Sequence, residues 1–121
     1  MEAHGTGTAL GDPTEVGALA EPADSHLLVG TGKASVGHGE AVSGLLGLLK
    51  AAQGVSQALC MGNAKLRALN PLVGARGASA MMLGTNVLRC GHGVGGVSSF
   101  GFSGTIAHAV LDARLAAADV G

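Results

Sequence analysis

Glycine occurs 22 times in 121 residues, while the chain carries two phenylalanines and neither tryptophan nor tyrosine. Large aromatic anchors are nearly absent, so a core has to close with aliphatic side chains and closely approaching backbone. The glycines punctuate apolar stretches and show no G-X-Y period, which argues against both a collagen helix and a flexible linker. Hydrophobic residues make up 47% of the chain, enough for a packed core. The length suits one small domain. The expectation is a glycine-rich α/β chain.

Charge narrows the function classes. The formal net charge is −1 and the pI is near 6.5, with no basic cluster. Nothing here favours nucleic acid or an anionic membrane surface. The longest apolar stretch, 41–52, is too short for a membrane span, and the N-terminus lacks the layout of a signal peptide. Cys60 and Cys90 have no metal or redox spacing and read as small buried hydrophobes. An intracellular, reducing compartment fits this cysteine usage.

Residues 2–11, "EAHGTGTALG", read as a loop. A helix follows, with Asp12 as N-cap, Pro13 at the first helical position and Glu15 three residues after the cap. "HLLVGTG" predicts a buried strand over 27–31. From His38 to Gln53 the apolar positions keep helical spacing over a wide arc, which predicts a buried helix stopped by Gly54. Gly44 and Gly47 within it would admit another backbone. "LNPLV" marks a turn and "ASAMMLGTNVL" reads as strand. "GVGGVSSF" and "IAHAVL" predict two strands joined by a tight glycine turn. The tail "ARLAAADV" is weakly helical.

Phosphate and metal chemistry are poorly served. "GTGTALG" is one residue off the dinucleotide fingerprint and has no preceding strand. "GHGVGG" matches it at Gly91, Gly93 and Gly96, but a strand-like segment follows where a helix is needed. No two of the five histidines have ligand spacing, so no metal is expected. His26 reads as solvated, His92 as structural or idle, and His108 as a satisfied core histidine.

His4 and His38 differ from these. His4 lies in a loop of hydroxyls and small residues that leaves room for a ligand. His38 is placed at the start of the predicted buried helix, whose partial positive end disfavours an imidazolium. A neutral histidine can donate a hydrogen bond to a carbonyl. Lys33 falls between strand and helix and needs a partner if it is buried. Glu40 is a candidate for that role, and a surface-loop lysine is the even alternative.

Three blocks resemble one family. "EAHGTGTALGDPTEVGAL", "GKASVGHGEAVSGLLGLLK" and "GVSSFGFSGTIAHAVL" look like successive signatures of the β-ketoacyl synthases, most closely the ketosynthase domains of type I polyketide synthases. "LNPLV" resembles the turn between the second and third blocks. The resemblance implies a thiolase-like fold, a layered α-β-α sandwich with a mixed sheet, of which this chain is the C-terminal half only. It also implies decarboxylative Claisen condensation between an acyl group held on a cysteine and a malonyl-type extender. The extender would ride on the phosphopantetheine arm of an acyl carrier protein, with no cofactor bound directly.

Carried over by position, His4 and His38 match the two catalytic histidines that bond the extender's thioester carbonyl. Lys33 matches the ordering lysine, with Glu40 in support. Thr6 and Thr8 match threonines on the pantetheine arm, and Phe102 matches the phenylalanine that gates the acyl pocket. The family's cysteine turn has no counterpart around Cys60 or Cys90. The expectation is therefore a ketosynthase portion over 1–113, cut before the first histidine and followed by a tail at 114–121. The implied partners are an N-terminal half, a carrier protein and a second copy in a dimer. Ser35 and Ile106 stand where the family has asparagine, and the segment 55–64 lacks its proline pair. Alternatives of other classes are a non-catalytic carrier-docking scaffold and a nucleotide module on the glycine loops.

Overall fold

The computed structural model describes residues 1–23, 26–77, 80–91 and 93–114. His92 and the tail beyond Arg114 lie outside the described residues.

One mixed sheet is assembled around the N-terminus. β5 (Val94–Phe100) and β6 (Ile106–Asp112) form an antiparallel hairpin in which Val97 faces Ala109. Glu2 bridges in parallel to Val97 on one side and to Gly30 on the other. Its amide donates to Gly96 O at 2.8 Å, and its carbonyl accepts from the Ser98 amide at 3.0 Å. Beyond Gly30, the short β1 (Leu27–Leu28) pairs in parallel with β3 (Met81–Met82). The order across the sheet is β6, β5, the Glu2 segment, β1 and β3. The predicted hairpin is therefore present. The strand expected at 27–31 is regular only over its first two residues, with a bridge at Gly30. Apart from this sheet, β2 (Leu59–Cys60) pairs antiparallel with β4 (Leu88–Arg89).

Strand alternation sends neighbouring side chains to opposite faces. Ala3 and Val29 meet Val16 of α1 (Gly11–Ala20) and Val73 of α4 (Pro71–Gly77), closing an aliphatic core with Met81. Glu2 and Val97 point the other way, onto α3 (Ser43–Gln57). The layers run α3, sheet, then α1 with α4. Gly44 and Gly47 permit the α3 contact: a Cβ at Gly44 would lie 2.7 Å from Ser99 Oγ, and one at Gly47 3.3 Å from Val97 Cγ2.

Three helix expectations are corrected. α1 starts at Gly11 with Leu10 in the cap position and no side-chain cap bond. Asp12 is not the N-cap; its Oδ1 accepts the Gly7 amide at 3.1 Å, bracing the preceding loop. α3 starts at Ser43 and runs through Gly54, ending with Ala58 in the left-handed region at φ 52°. A Cβ on Gly54 would sit 2.7 Å from the Leu59 carbonyl, so glycine there lets the chain fold back rather than stop. α3 is also not buried. Of its residues only Ser43 and Gly47 are buried, while Leu45 and Leu49 are 59% and 60% exposed. Its wide apolar arc has a sheet on one side and nothing among the described residues on the other. β6 is exposed along Ile106–Val110 as well.

Candidate functional site

The His4 loop is held by its backbone. The carboxylate of Glu15, on α1, accepts the His4 amide at 2.7 Å and the Gly5 amide at 2.9 Å. Glu15 is buried, so these charge-assisted bonds are shielded from water. The sequence-based reading put Glu15 in a helix cap; its carboxylate instead reaches ten residues back to the loop. Gly5 has φ +47°, and a Cβ there would approach Thr31 Cβ to 2.9 Å. Both conformation and space demand glycine.

The His4 carbonyl accepts the Lys33 ammonium. Lys33 opens α2 (Lys33–Val36), a single helical turn. Burial pushes its pKa below the usual lysine range, while the carboxylates of Glu2, Glu15 and Asp12 pull it back up. Glu40 is exposed and is not among these carboxylates, so the supporting role expected for it falls to others. The even choice between a surface and an engaged lysine resolves to an engaged one.

The His4 ring is buried and packs on Phe100 with centroids 5.0 Å apart. Burial lowers its pKa from the ordinary 6.5, and Lys33 and His38 lower it further, so His4 is neutral at pH 7. The Phe100 amide donates to His4 Nδ1 at 3.3 Å. That assigns the ring proton to Nε2, because Nδ1 is the acceptor. Nε2 has no hydrogen-bond partner among the described residues, and among these same residues no fully buried side-chain nitrogen lacks one. The Nε2–H is thus accessible and free to donate.

His38 meets His4 edge to face, with centroids 5.9 Å apart and planes at 88°. It follows Gly37, at φ +83°, and is exposed. It lies five residues before α3, so the helix-end field invoked from the sequence is not at hand. Thr6, Asp12, Lys33, His38, Asn63 and Lys65 are among the residues lining a cleft of about 510 Å³ beside this group.

Other expected residues stand apart from the cluster. Thr8 is exposed, and its hydroxyl accepts the Gly11 amide at 3.1 Å, supporting the start of α1. Phe102 is fully exposed in the turn between β5 and β6; Phe100 is the phenylalanine that touches His4. His26 is exposed, as expected. His108 bonds Ser98 Oγ at 3.0 Å but sits on exposed β6, so it is satisfied without being core. Cys60 and Cys90 are half-buried free thiols, and burial together with Cys60 pushes the Cys90 thiol up. They line a different, smaller cavity. Among the described residues no cluster of three His, Cys, Asp or Glu could hold a metal, and no helix is long and apolar enough to cross a membrane.

Sequence reasoning missed Asn63. Its Nδ2 donates to Val29 O at 2.9 Å and Gly84 O at 3.2 Å, and its Oδ1 accepts the Thr31 amide at 3.1 Å. It fixes the strand end from which Lys33 departs. Nothing local to "MGNAK" announces bonds to residues about thirty positions away.

Comparisons with known proteins give the family and the fold. Residues 1–67, more than half the chain, match the family described as "Beta-ketoacyl synthase, C-terminal domain". The chain belongs to the β-ketoacyl synthase family. This ketosynthase chain is 39% identical over 121 residues to a phenolphthiocerol/phthiocerol polyketide synthase of Mycobacterium tuberculosis, covering 93% of the chain and 6% of that relative. It is 33% identical over 126 residues to 6-methylsalicylic acid synthase of Penicillium patulum, covering 93% and 7%. Among solved structures, ketosynthase twelve of the bacillaene polyketide synthase from Bacillus amyloliquefaciens superposes with a TM-score of 0.81 at 29% identity, over 90% of this chain and 21% of that one. The oxazolomycin ketosynthase domain of Streptomyces albus JA3453 gives 0.81 at 28% identity, over 92% and 21%. The ketosynthase fold seen here is thiolase-like, and the chain spans about a fifth of the solved chains it matches.

Proposed function

We propose that this chain supplies the thioester-activating part of a polyketide ketosynthase. In this reading the Nε2–H of His4 and the imidazole of His38 hydrogen-bond the thioester carbonyl of a malonyl-type extender. The bond between its α-carbon and carboxylate breaks, carbon dioxide leaves, and the electron pair passes to the carbonyl oxygen as an enolate. Donors preorganised at that oxygen stabilise the developing oxyanion. The enolate carbon then attacks the acyl carbon of a thioester on a cysteine; the carbon–carbon bond forms, the acyl carbon–sulfur bond breaks, and the cysteine leaves as its thiolate.

The observation that carries the reading is the donation from the Phe100 amide to His4 Nδ1, which leaves Nε2–H without a partner among the described residues, the rings of His4 and His38 lying 5.9 Å apart. Lys33 holds the His4 carbonyl and so orders the loop. Thr6 lines the cleft, which supports a role for it in meeting the amides of a phosphopantetheine arm. Thr8 and Phe102 would join the site only once the turn and loop are covered by further protein.

The cysteine nucleophile belongs, in this proposal, to residues outside these 121, since Cys60 and Cys90 line another cavity. The N-terminal portion of a ketosynthase is thus a required partner. An acyl carrier protein delivers the extender, and the complete domain works as a homodimer. Residues 1–113 form the ketosynthase portion, with 114–121 as a tail.

The test is release of carbon dioxide from a malonyl-loaded carrier protein by the chain complemented with the N-terminal portion of a related ketosynthase. Release is expected, and His4→Ala or His38→Ala should each lower it by ~10²–10³. Carrier binding with no release would overturn the catalytic reading in favour of a docking scaffold.

A further inference from the structure

The proposed site needs Lys33 against the His4 carbonyl, yet Lys33 rides on a single helical turn with little packing of its own. What holds that turn lies on the far side of the sheet. Glu2 is two residues before His4, and its side chain is 8% exposed. Its backbone is locked on both edges, to Gly96 and Ser98 by hydrogen bonds and to Gly30 by a bridge. Its two carboxylate oxygens are divided. Oε1 accepts the Gly32 amide at 2.6 Å, and Oε2 accepts the Lys50 ammonium at 2.5 Å.

Gly32 immediately precedes Lys33 and caps α2; Lys50 belongs to α3. A Cβ on Gly32 would come within 3.3 Å of both Glu2 Oε1 and Lys50 Cδ, so the clasp closes on a bare backbone. The connections form a ring: Glu2 to the Gly32 amide, Gly32 to Lys33 along the chain, Lys33 to the His4 carbonyl, and His4 back to Glu2 through Ala3. A carboxylate buried to this degree persists only with such partners. Its negative charge also favours the Lys33 ammonium, ahead of Glu15 and Asp12.

We propose that Glu2 is a positioning residue, its carboxylate clasping the Gly32 amide and the Lys50 ammonium so that Lys33 is held on the His4 carbonyl. This rests on the reading of His4 and Lys33 as thioester-site residues. A merely structural Glu2–Lys50 pair would tie α3 to the sheet and leave Lys33 indifferent to it.

The experiment is competitive acylation of lysines in the full chain with acetic anhydride across pH 7–10, read by peptide mass spectrometry. Exposed Lys65 serves as the internal reference. Glu2→Gln keeps the shape and removes the charge; Glu2→Asp keeps the charge and shortens the reach. Both are expected to raise the Lys33-to-Lys65 labelling ratio about 3- to 10-fold, and Glu2→Gln should also move the Lys33 pH midpoint down. A folded variant of either kind with Lys33 within twofold of wild type overturns the proposal. In the unmutated chain the Gly32 amide is expected to exchange slowly with deuterium, and fast exchange there overturns it without any variant. Neither readout requires decarboxylation, so loss of the catalytic reading would show separately.

Discussion

The rings of His4 and His38, thirty-four positions apart in the chain, meet edge to face with centroids 5.9 Å apart. One is buried and neutral and the other is exposed to the cleft. Four consequences can be measured.

Burial lowers the pKa of His4 below its unfolded value of about 6.5. As pH falls through that value the unfolded chain takes up the proton first, so stability is present above about pH 6.5 and declines below it. The melting temperature should fall between pH 7.5 and pH 5. His4→Gln should flatten that dependence. An equal slope in wild type and variant would remove His4 as its source.

Glu15 holds two amides with one buried carboxylate. Glu15→Ala leaves both donors unpaired and is expected to cost about 2–4 kcal/mol in urea unfolding. Hydrogen exchange at His4 and Gly5 should accelerate more than anywhere in α3. Uniform acceleration across the chain would count against a specific tie to the loop.

Asn63→Ala removes three side-chain bonds that join Val29, Thr31 and Gly84. A loss of about 2–3 kcal/mol is expected from the stranded backbone groups. Asn63→Asp should also destabilise, because a carboxylate cannot donate to the Val29 and Gly84 carbonyls. A neutral result for both would show that the clamp contributes little.

Leu45 and Leu49 on α3, with Val110 on β6, are all more than half exposed. An apolar face of this kind invites self-association. The chain should form oligomers at micromolar concentration and bind a hydrophobic dye. Leu45→Gln with Leu49→Gln should reduce both in light scattering and fluorescence. A soluble wild-type monomer with a sharp, cooperative melt would contradict the expectation.

The hairpin of β5 and β6 was legible because alternating small and β-branched residues flank a glycine turn, a pattern local in sequence. The α1 helix was legible for the same reason, though Asp12 and Glu15 were assigned to its cap. Their partners are in the preceding loop, where short polar side chains have several competing uses. The arc of apolar residues correctly marked α3 as a helix, but its expected burial is not met. The arc did not reveal that, among the described residues, only one side of the helix is packed.

His4, His38 and Lys33 could be singled out from residue type, local setting and family blocks, since histidines near a glycine-rich loop are informative before any folding. Their mutual placement could not. The His4 proton sits on Nε2 because the amide of Phe100, ninety-six residues away, donates to Nδ1. Lys33 is engaged because the His4 carbonyl, twenty-nine residues away, accepts its ammonium. Sequence by itself determined the residue types, two imidazoles and an ammonium, on which the proposed site draws. Tertiary structure decided their tautomer, burial and partners, because these depend on backbone amides and carboxylates brought together only by sheet register and layer packing.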